Sequence, residues 1–215
     1  MQTTLTMRID SLSPSADRSG RHLVKFDCGA TMRLYRQTVE DFGLFPGMEL
    51  SAAQMDALRE SAGAYSAKMR AVRIVSATNV SCRDLEQRLV RKGESPDQAK
   101  AAVAWMKDLS LLDDSRTAAQ IVASCAAKGY GPGRARQTLY EKKIPKQLWD
   151  EALEDYPDQT EHMMKFIRSR LTDPDDERQK RRVVDALIRR GHSYSQIRRV
   201  MDLAGAEMDE YSEDE

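Results

Sequence analysis

The sequence predicts a mainly α-helical protein in which tandem three-helix repeats form an elongated array behind a small N-terminal β-rich lobe. Over the first fifty residues, apolar residues alternate with polar ones, which is typical of half-buried strands. From position 51 onward they recur at spacings of three and four, as at Ala99, Ala102, Val103 and Met106, which is typical of amphipathic helices. A residue pattern that recurs about every fifty positions indicates the repeat.

Composition narrows the class of protein. The chain has 215 residues, of which 40% are hydrophobic and 32% are charged, which excludes a disordered chain. No run of about 18 apolar residues is present, which excludes a membrane-spanning helix. Lysine plus arginine total 34 and so do aspartate plus glutamate, so any basic patch is offset by acidic residues elsewhere. Three dispersed cysteines and the lack of a signal-peptide pattern predict a soluble cytoplasmic protein.

Residues 1–50 form the predicted β-rich lobe. Alternation predicts three strands, at residues 5–9, 24–28 and 32–34. A stretch rich in Ser, Pro, Gly and Asp predicts a loop at 11–20, and Asp27-Cys28-Gly29-Ala30 predicts a turn. A short helix is expected at 37–42.

The ends of three predicted basic helices share one residue pattern, which indicates the repeat. Leu89-x-x-Lys92-Gly93 matches Leu139-x-x-Lys142-Lys143, fifty positions on, and Leu187-x-x-Arg190-Gly191, a further forty-eight positions on. The predicted repeats are residues 51–112, 113–158 and 159–206, each with a long first helix, a shorter basic second helix and a third helix. Because three such helices cannot bury all their apolar faces alone, neighbouring repeats are expected to stack.

Capping residues mark the predicted helix boundaries. Helix starts are indicated by four groups: Ser81, Ser95-Pro96, Asp113-Asp114 and Gly131-Pro132. Helix ends are indicated by Gly93, Gly129 and Gly191, since glycine readily adopts the left-handed C-cap conformation. The last segment, residues 207–215, has six acids and no base and is predicted to be a disordered tail.

No catalytic constellation emerges. The segment from Gly129 to Gly133 follows no strand and contains Pro132, so it fits helix punctuation better than a phosphate-binding loop. The three histidines are far apart, and none stands in a zinc-binding pattern. Asp113 and Asp114 suit a helix cap better than acid–base chemistry. The sequence therefore predicts no enzyme, no metal and no cofactor.

Two basic clusters carry the candidate interaction residues. The first has six bases against one acid: Lys128, Arg134, Arg136, Lys142, Lys143 and Lys146. The second has eight bases against one acid: Arg178, Lys180, Arg181, Arg182, Arg189, Arg190, Arg198 and Arg199. Such clusters attract phosphate backbones or acidic protein grooves. Tyr130, Tyr140 and Tyr194 lie near them and could stack on bases, but for Tyr140 and Tyr194 packing against a neighbouring helix is the favoured interpretation.

Several of these residues together resemble a known family. The pattern runs Ser81-x-x-Asp84-Leu85-x-x-Arg88-Leu89-x-x-Lys92-Gly93, then Leu111-Leu112-Asp113-Asp114, then Lys128-Gly129-Tyr130-Gly131-Pro132-x-Arg134, and ends with Leu139-x-x-Lys142-Lys143-Ile144. In order and spacing it resembles the RecX family, bacterial regulators of the RecA recombinase. The family's Lys-Gly-Ile turn reads Lys142-Lys143-Ile144 here.

The resemblance implies a monomeric chain of three-helix repeats that lies in the groove of the RecA–single-stranded-DNA filament. There it would inhibit ATP hydrolysis, strand exchange and the stimulation of repressor self-cleavage, and it would contact single-stranded and possibly double-stranded DNA but no membrane. The expected contact residues are Arg134, Arg136, Lys142, Lys143, Arg181, Arg182, Arg189, Arg190, Arg198 and Arg199. Asp113, Asp114, Gly131 and Pro132 are expected to set helix starts.

Two other functions compete with this one. Three-helix units with a basic second helix resemble helix-turn-helix domains, so the chain could bind DNA without sequence preference and without the recombinase. A scaffold whose basic faces bind acidic proteins is the other alternative.

Overall fold

The structure is a computed structural model that describes residues 6–15 and 20–212. Within those residues it has ten α-helices and one four-stranded antiparallel sheet, which confirms the prediction of a mainly helical protein with a small β-rich lobe. The chain divides into two compact units. Unit 1 is the chain up to Asn79 together with Leu85–Leu112, and unit 2 is Val80–Asp84 together with the chain from Asp113 onward.

The β-rich lobe is a sheet with the strand order β3-β2-β1-β4. The strands are β1 (Thr6–Pro14), β2 (Arg21–Phe26), β3 (Thr31–Tyr35) and β4 (Glu49–Ser51), and α1 (Arg36–Asp41) follows β3. The core of the lobe joins residues of all four strands to the start of α2 (Ala52–Ala77). It contains Ile9, Val24, Phe26, Leu34, Leu50, Met55 and Leu58.

The prediction of a loop at residues 11–20 is wrong for its first four residues. β1 continues to Pro14, which pairs with His22 of β2, and Leu12 pairs with Val24. Strand hydrogen bonds come from the backbone, so a neighbouring strand extends β1 through polar residues that no side-chain pattern marks. Residues 1–5, with the predicted strand residue Leu5, and residues 16–19 lie outside the described residues.

The helices of the first repeat begin at capping residues. α2 starts at a capping box of Ser51 and Gln54, and α4 (Pro96–Asp108) starts at a second one of Ser95 and Gln98. α3 (Cys82–Arg91) lies between them in the chain. α2 packs against α4, and both helices bury alanines, so their backbones can approach closely.

The second and third repeats both lie in unit 2, and each has its own core. The second has α5 (Asp114–Ala127), α6 (Pro132–Glu141), a 3-10 turn (Lys146–Leu148) and α7 (Trp149–Leu153). The third has α8 (Thr160–Arg168), α9 (Glu177–Arg189) and α10 (Tyr194–Ser212). Leu139 is fully buried in the core of the second repeat, and Leu187 is almost fully buried in that of the third.

Two predicted helix lengths are wrong, those of α8 and α10, and α7 is unusually short. α7 has only 5 residues, because Pro145 precedes a 3-10 turn instead of a helical turn. α8, expected to be long, has 9 residues and ends before an aspartate-rich segment that contains Pro174. α10, expected to end at 206, continues to Ser212, through the first six residues of the predicted disordered tail, because no glycine or proline interrupts the helix there. Residues 213–215 lie outside the described residues.

Candidate interaction surface

The C-terminal basic cluster is displayed on α9 and α10 of the third repeat. Five of the predicted contact residues in this cluster are exposed, and none of them forms an ion pair with another described residue: Arg181, Arg182, Arg189, Arg198 and Arg199. Arg182 also lines a groove of about 330 Å³ together with Phe166, Arg170 and Gln179. Unpaired guanidinium groups keep their full charge for a phosphate or carboxylate partner, and they can bind it through two hydrogen bonds at once.

The other five predicted contact residues are in different situations. Arg136 is half-exposed and only 3.8 Å from the exposed Asp150, and Arg134 is 3.7 Å from Glu141. Lys142 is exposed. Lys143 and Arg190 are each engaged by neighbouring side chains, Lys143 by a carboxylate and Arg190 by aromatic rings.

Lys143 takes part in what we call the Ser81 junction, formed by Ser81, Asp84, Lys142 and Lys143. The Ser81 hydroxyl donates to the Lys142 carbonyl oxygen at 2.8 Å and accepts from the backbone N–H of Asp84. The Lys143 ammonium lies 2.6 Å from a carboxylate oxygen of Asp84, whose side chain is only 10% exposed. The junction therefore holds the first turn of α3 against the turn that follows α6.

Asp113 and Asp114 hold helix starts. The Asp113 carboxylate caps α5 by accepting from the backbone N–H groups of Ser115 and Arg116, at 2.8 and 3.2 Å, which confirms the predicted helix start. The Asp114 carboxylate accepts from the backbone N–H of Cys82 at 2.8 Å. Asp114 therefore secures α3 beside the Ser81 junction, a role that the sequence did not reveal.

A second contact, the Gly131 junction, is formed by Gly131, Gly133, Arg134, Arg190 and Gly191. The N–H of Gly131 donates to the Arg190 carbonyl oxygen at 2.9 Å, and that of Gly133 donates to the Gly191 carbonyl oxygen at 3.0 Å. A Cβ on Gly131 would overlap the Gly191 carbonyl, and one on Gly191 would overlap the backbone of Arg134. The glycine-rich segment thus allows two backbones to touch, with Pro132 at the first position of α6.

Aromatic and imidazole side chains surround this junction. The Arg190 guanidinium lies 4.4 Å from the ring centroid of Phe166 and 5.9 Å from that of Tyr130, both cation–π distances. Tyr130 accepts a hydrogen bond at its carbonyl oxygen from the hydroxyl of Tyr156, at 2.7 Å. Burial raises the pKa of Tyr156 to about 12, so its hydroxyl stays protonated and can donate.

His192 is buried beside the Gly131 junction, with 5% of its surface exposed. Its Nε2 lies 3.1 Å from the Gly129 carbonyl oxygen, which can only accept, so Nε2 carries the hydrogen. Burial lowers the pKa of His192, and the nearby Arg190 and His162 lower it further, although the hydrogen bond to Gly129 opposes them. The imidazole is therefore neutral at pH 7.

The prediction that Tyr140 and Tyr194 pack against neighbouring helices is wrong. Tyr140 is 65% exposed and Tyr194 is 67% exposed, whereas Tyr130 is half-buried. Helical spacing alone did not reveal this, because Tyr140 directly follows the buried Leu139 and Tyr194 begins its helix. Both rings are instead mostly exposed to solvent.

We searched the part of the chain that the structure describes for a metal site and for a membrane-spanning helix, and found neither. It holds no group of three or more His, Cys, Asp or Glu side chains that could bind a metal ion. None of its helices is both long enough and apolar enough to cross a membrane.

Family models match the two repeats of unit 2. Residues 113–153 match the model described as RecX, second three-helix domain. Residues 164–201 match the model described as RecX, third three-helix domain.

Curated relatives match a longer part of the chain. The regulatory protein RecX of Xanthomonas axonopodis pv. citri is 34% identical over 132 residues, which is 60% of this chain and 82% of that protein. The regulatory protein RecX of Halorhodospira halophila is 31% identical over 142 residues, which is 64% of this chain and 88% of that protein.

Solved structures share the fold. A crystal structure of regulatory protein RecX superposes with a TM-score of 0.64 over 91% of this chain and 99% of that one, at 23% identity. RecX from Lactobacillus salivarius gives a TM-score of 0.58 over 66% of this chain and 97% of that one, at 20% identity. Since curated relatives more than 30% identical are also matched over most of their length, this chain belongs to the RecX family of regulatory proteins.

Proposed function

We propose that this protein binds in the groove of the RecA–single-stranded-DNA filament and inhibits the filament's ATP hydrolysis, strand exchange and stimulation of repressor self-cleavage. Membership of the RecX family supports a regulatory role toward RecA. The observation that carries the proposal is the display of five exposed arginines without ion pairs on α9 and α10. A groove lined by DNA phosphates and acidic side chains would attract such a surface.

The mechanism needs binding alone. A protein that binds one conformation of a filament more tightly than another shifts the filament toward the favoured conformation by that difference in affinity. We accordingly assign the protein no catalytic activity, metal or cofactor. It acts in the cytoplasm, where the filament forms, and it acts as a monomer.

The first test is ATP hydrolysis by RecA filaments preformed on single-stranded DNA. With this protein added at well below one molecule per RecA protomer, we expect the rate to fall. A rate that stays unchanged at saturating protein would contradict the proposal.

A charge-matched pair of variants tests the arginine surface. Arg181→Ala, Arg189→Ala, Arg198→Ala and Arg199→Ala together should raise the concentration needed for half inhibition by about tenfold or more, because each lost phosphate contact weakens binding. Arg190 is kept, since it packs on Phe166. The control replaces four exposed bases of unit 1 by alanine, namely Lys25, Arg33, Lys100 and Lys107. Equal losses in the two variants would show a net-charge effect only.

Direct binding to DNA without the recombinase is the second candidate function. The exposed rings of Tyr140 and Tyr194 favour it, because exposed aromatic rings can stack on unpaired bases. The measurement is fluorescence anisotropy with labelled single- and double-stranded DNA at several salt concentrations. Affinity that falls steeply with salt, without any effect on RecA filaments, would support this candidate over the first.

A further inference from the structure

The second helix of each repeat ends with the same alternation of buried and exposed apolar residues. Leu89, Leu139 and Leu187 occupy equivalent positions and are at most 1% exposed. The residue after each of them is large, apolar and exposed: Val90 at 40%, Tyr140 at 65% and Ile188 at 47%. We call these three side chains the second-helix knobs.

Packing within the protein does not account for the knobs. Tyr140 lies outside the core of the second repeat, and Ile188 lies outside that of the third. Single exposed apolar residues are ordinary on protein surfaces. The other large ones in the described residues are not shared by the repeats: Phe45, Leu109, Leu111, Tyr194 and Leu203. Only the knobs recur at one position of all three repeats.

A base accompanies each knob. Two positions beyond Val90, Tyr140 and Ile188 stand Lys92, Lys142 and Arg190. A cation after the last turn of a helix also interacts favourably with the helix dipole, so the base has a local reason to be there. The exposed apolar side chain has none. What recurs is therefore an exposed apolar side chain that is followed two positions later by a base.

We propose that the second-helix knobs insert into apolar pockets with acidic rims on the protein subunits of the RecA filament, and not between DNA bases. This inference rests on the proposed function, because it names the surface that contacts the filament protein. Stacking on bases requires a flat π system, which Val90 and Ile188 lack. A polymer of identical subunits offers the same pocket repeatedly, which suits a chain that offers the same knob repeatedly. The base that follows two of the knobs is exposed, Lys92 after Val90 and Lys142 after Tyr140, and it complements an acidic rim.

Two triple variants test the proposal. The first carries Val90→Ala, Tyr140→Ala and Ile188→Ala. The control carries Phe45→Ala, Leu109→Ala and Leu203→Ala, which removes apolar side chains of similar exposure at positions that the repeats do not share. Binding is measured to RecA filaments held on single-stranded DNA by a non-hydrolysable ATP analogue, and to the same DNA without RecA. Circular dichroism and urea unfolding check the fold, and Tyr140→Ala alone is the fallback if the triple variant unfolds.

We expect the knob variant to bind the filament about thirtyfold more weakly or worse, because each lost contact removes apolar burial, whereas naked DNA binding changes by less than about twofold. The control should bind the filament as the unmodified protein does. A loss of naked DNA binding in the knob variant would assign the knobs to nucleic acid and overturn the inference. So would unchanged filament binding by the knob variant, or an equal loss in the control. Failure of the unmodified protein to bind the filament would instead overturn the proposed function.

Discussion

The Ser81 junction and the Gly131 junction occupy equivalent positions of successive repeats. Each one joins the start of the second helix of one repeat to the turn that follows the second helix of the next repeat. Ser81 corresponds to Gly131, fifty positions on, and Lys142 corresponds to Arg190, forty-eight positions on. In each junction the residue at the helix start donates a hydrogen bond to the carbonyl oxygen of this turn residue, and in the Gly131 junction the N–H of Gly133 adds a second bond, to Gly191. The donor is the Ser81 hydroxyl in the first junction, at 2.8 Å, and the Gly131 backbone N–H in the second, at 2.9 Å.

The residues beside these hydrogen bonds differ in chemistry. Lys143 corresponds to Gly191, and both have a positive φ, +58° and +85°. Lys143 uses its side chain to reach Asp84, while Gly191 has no side chain and lies directly against the backbone of Arg134. The same backbone arrangement is therefore held by an ion pair in one junction and by bare backbone contact in the other.

This difference predicts how each junction tolerates substitution. In the Ser81 junction, which is held by side chains, a substitution can remove the hydrogen bond, the ion pair or both, so the loss of stability should depend on which residue is replaced. The Gly131 junction, in which two backbones touch, has no room for a Cβ, so a single added methyl group should push the two backbones apart. The residue that follows each helix start shows the same difference. The N–H of Cys82 needs the Asp114 carboxylate as its acceptor, whereas the equivalent Pro132 has no N–H to satisfy.

The largest effect is expected from Gly191→Ala. The new Cβ would overlap Arg134, and φ is already +85°, so the free energy of unfolding should fall by about 3 kcal/mol or more. The control is Gly93→Ala, with a φ of +94° and nothing within 4 Å of the new Cβ, where only the backbone conformation opposes alanine, at about 1 kcal/mol. Urea unfolding of both variants measures the difference. Equal losses would show that the backbone contact contributes nothing.

A double-mutant cycle tests the ion pair of the Ser81 junction. Asp84→Asn should lower the free energy of unfolding by about 2 kcal/mol, because it leaves the half-buried Lys143 ammonium without its carboxylate. Lys143→Gly leaves the more deeply buried Asp84 carboxylate without this ammonium but relieves the positive φ, so its effect should be of similar size. In the Asp84→Asn background, Lys143→Gly should raise stability by about 1 kcal/mol. Strict additivity of the two substitutions would refute the coupling.

Ser81→Ala should have a smaller effect, about 1 to 2 kcal/mol. It removes both the bond to the Lys142 carbonyl and the cap on the Asp84 N–H. Ser95→Ala removes a helix cap without a junction bond and should lower stability by about 1 kcal/mol. Thermal or urea unfolding compares the two variants, and a loss at Ser81 no larger than that at Ser95 would argue against the junction bond.

The smallest effect at neutral pH, and one confined to the Gly131 junction, comes from His192. Burial lowers the pKa of His192 below the usual 6.5, so the folded protein binds fewer protons than the unfolded chain as the pH falls through that value. Stability of unit 2 should therefore decrease below pH 6.5 and be undisturbed by this group above it. Hydrogen exchange of the Gly131 and Asp84 amides between pH 5 and 8 gives the measurement. In the unmodified protein, the Gly131 amide should lose more protection from exchange below pH 6.5 than the Asp84 amide does. In His192→Gln this difference between the two amides should disappear, and a difference that persists would exclude His192 as its cause.

Sequence patterns predicted the helices and their starts because capping is local. Asp113 caps the N–H groups of residues two and three positions on, and Ser95 with Gln98 closes a box within one turn. The same reasoning failed for β1 beyond Ile9, where the deciding hydrogen bonds come from β2. Charge runs located the exposed arginines but included Arg190, whose half-burial depends on Phe166, a residue 24 positions away.

By itself the sequence determined the helical class, the repeat, most helix boundaries and the family resemblance, since these depend on spacing within a few residues or between repeats. Only the tertiary structure decided how the repeat-equivalent turns are used, because that depends on which backbones touch. In the tertiary structure the Lys143 ammonium pairs with the Asp84 carboxylate, and Gly191 lies against the backbone of Arg134. Tyr140 is exposed although the adjacent Leu139 is buried. Contacts between residues nearly sixty positions apart are set by packing, and local patterns do not encode them.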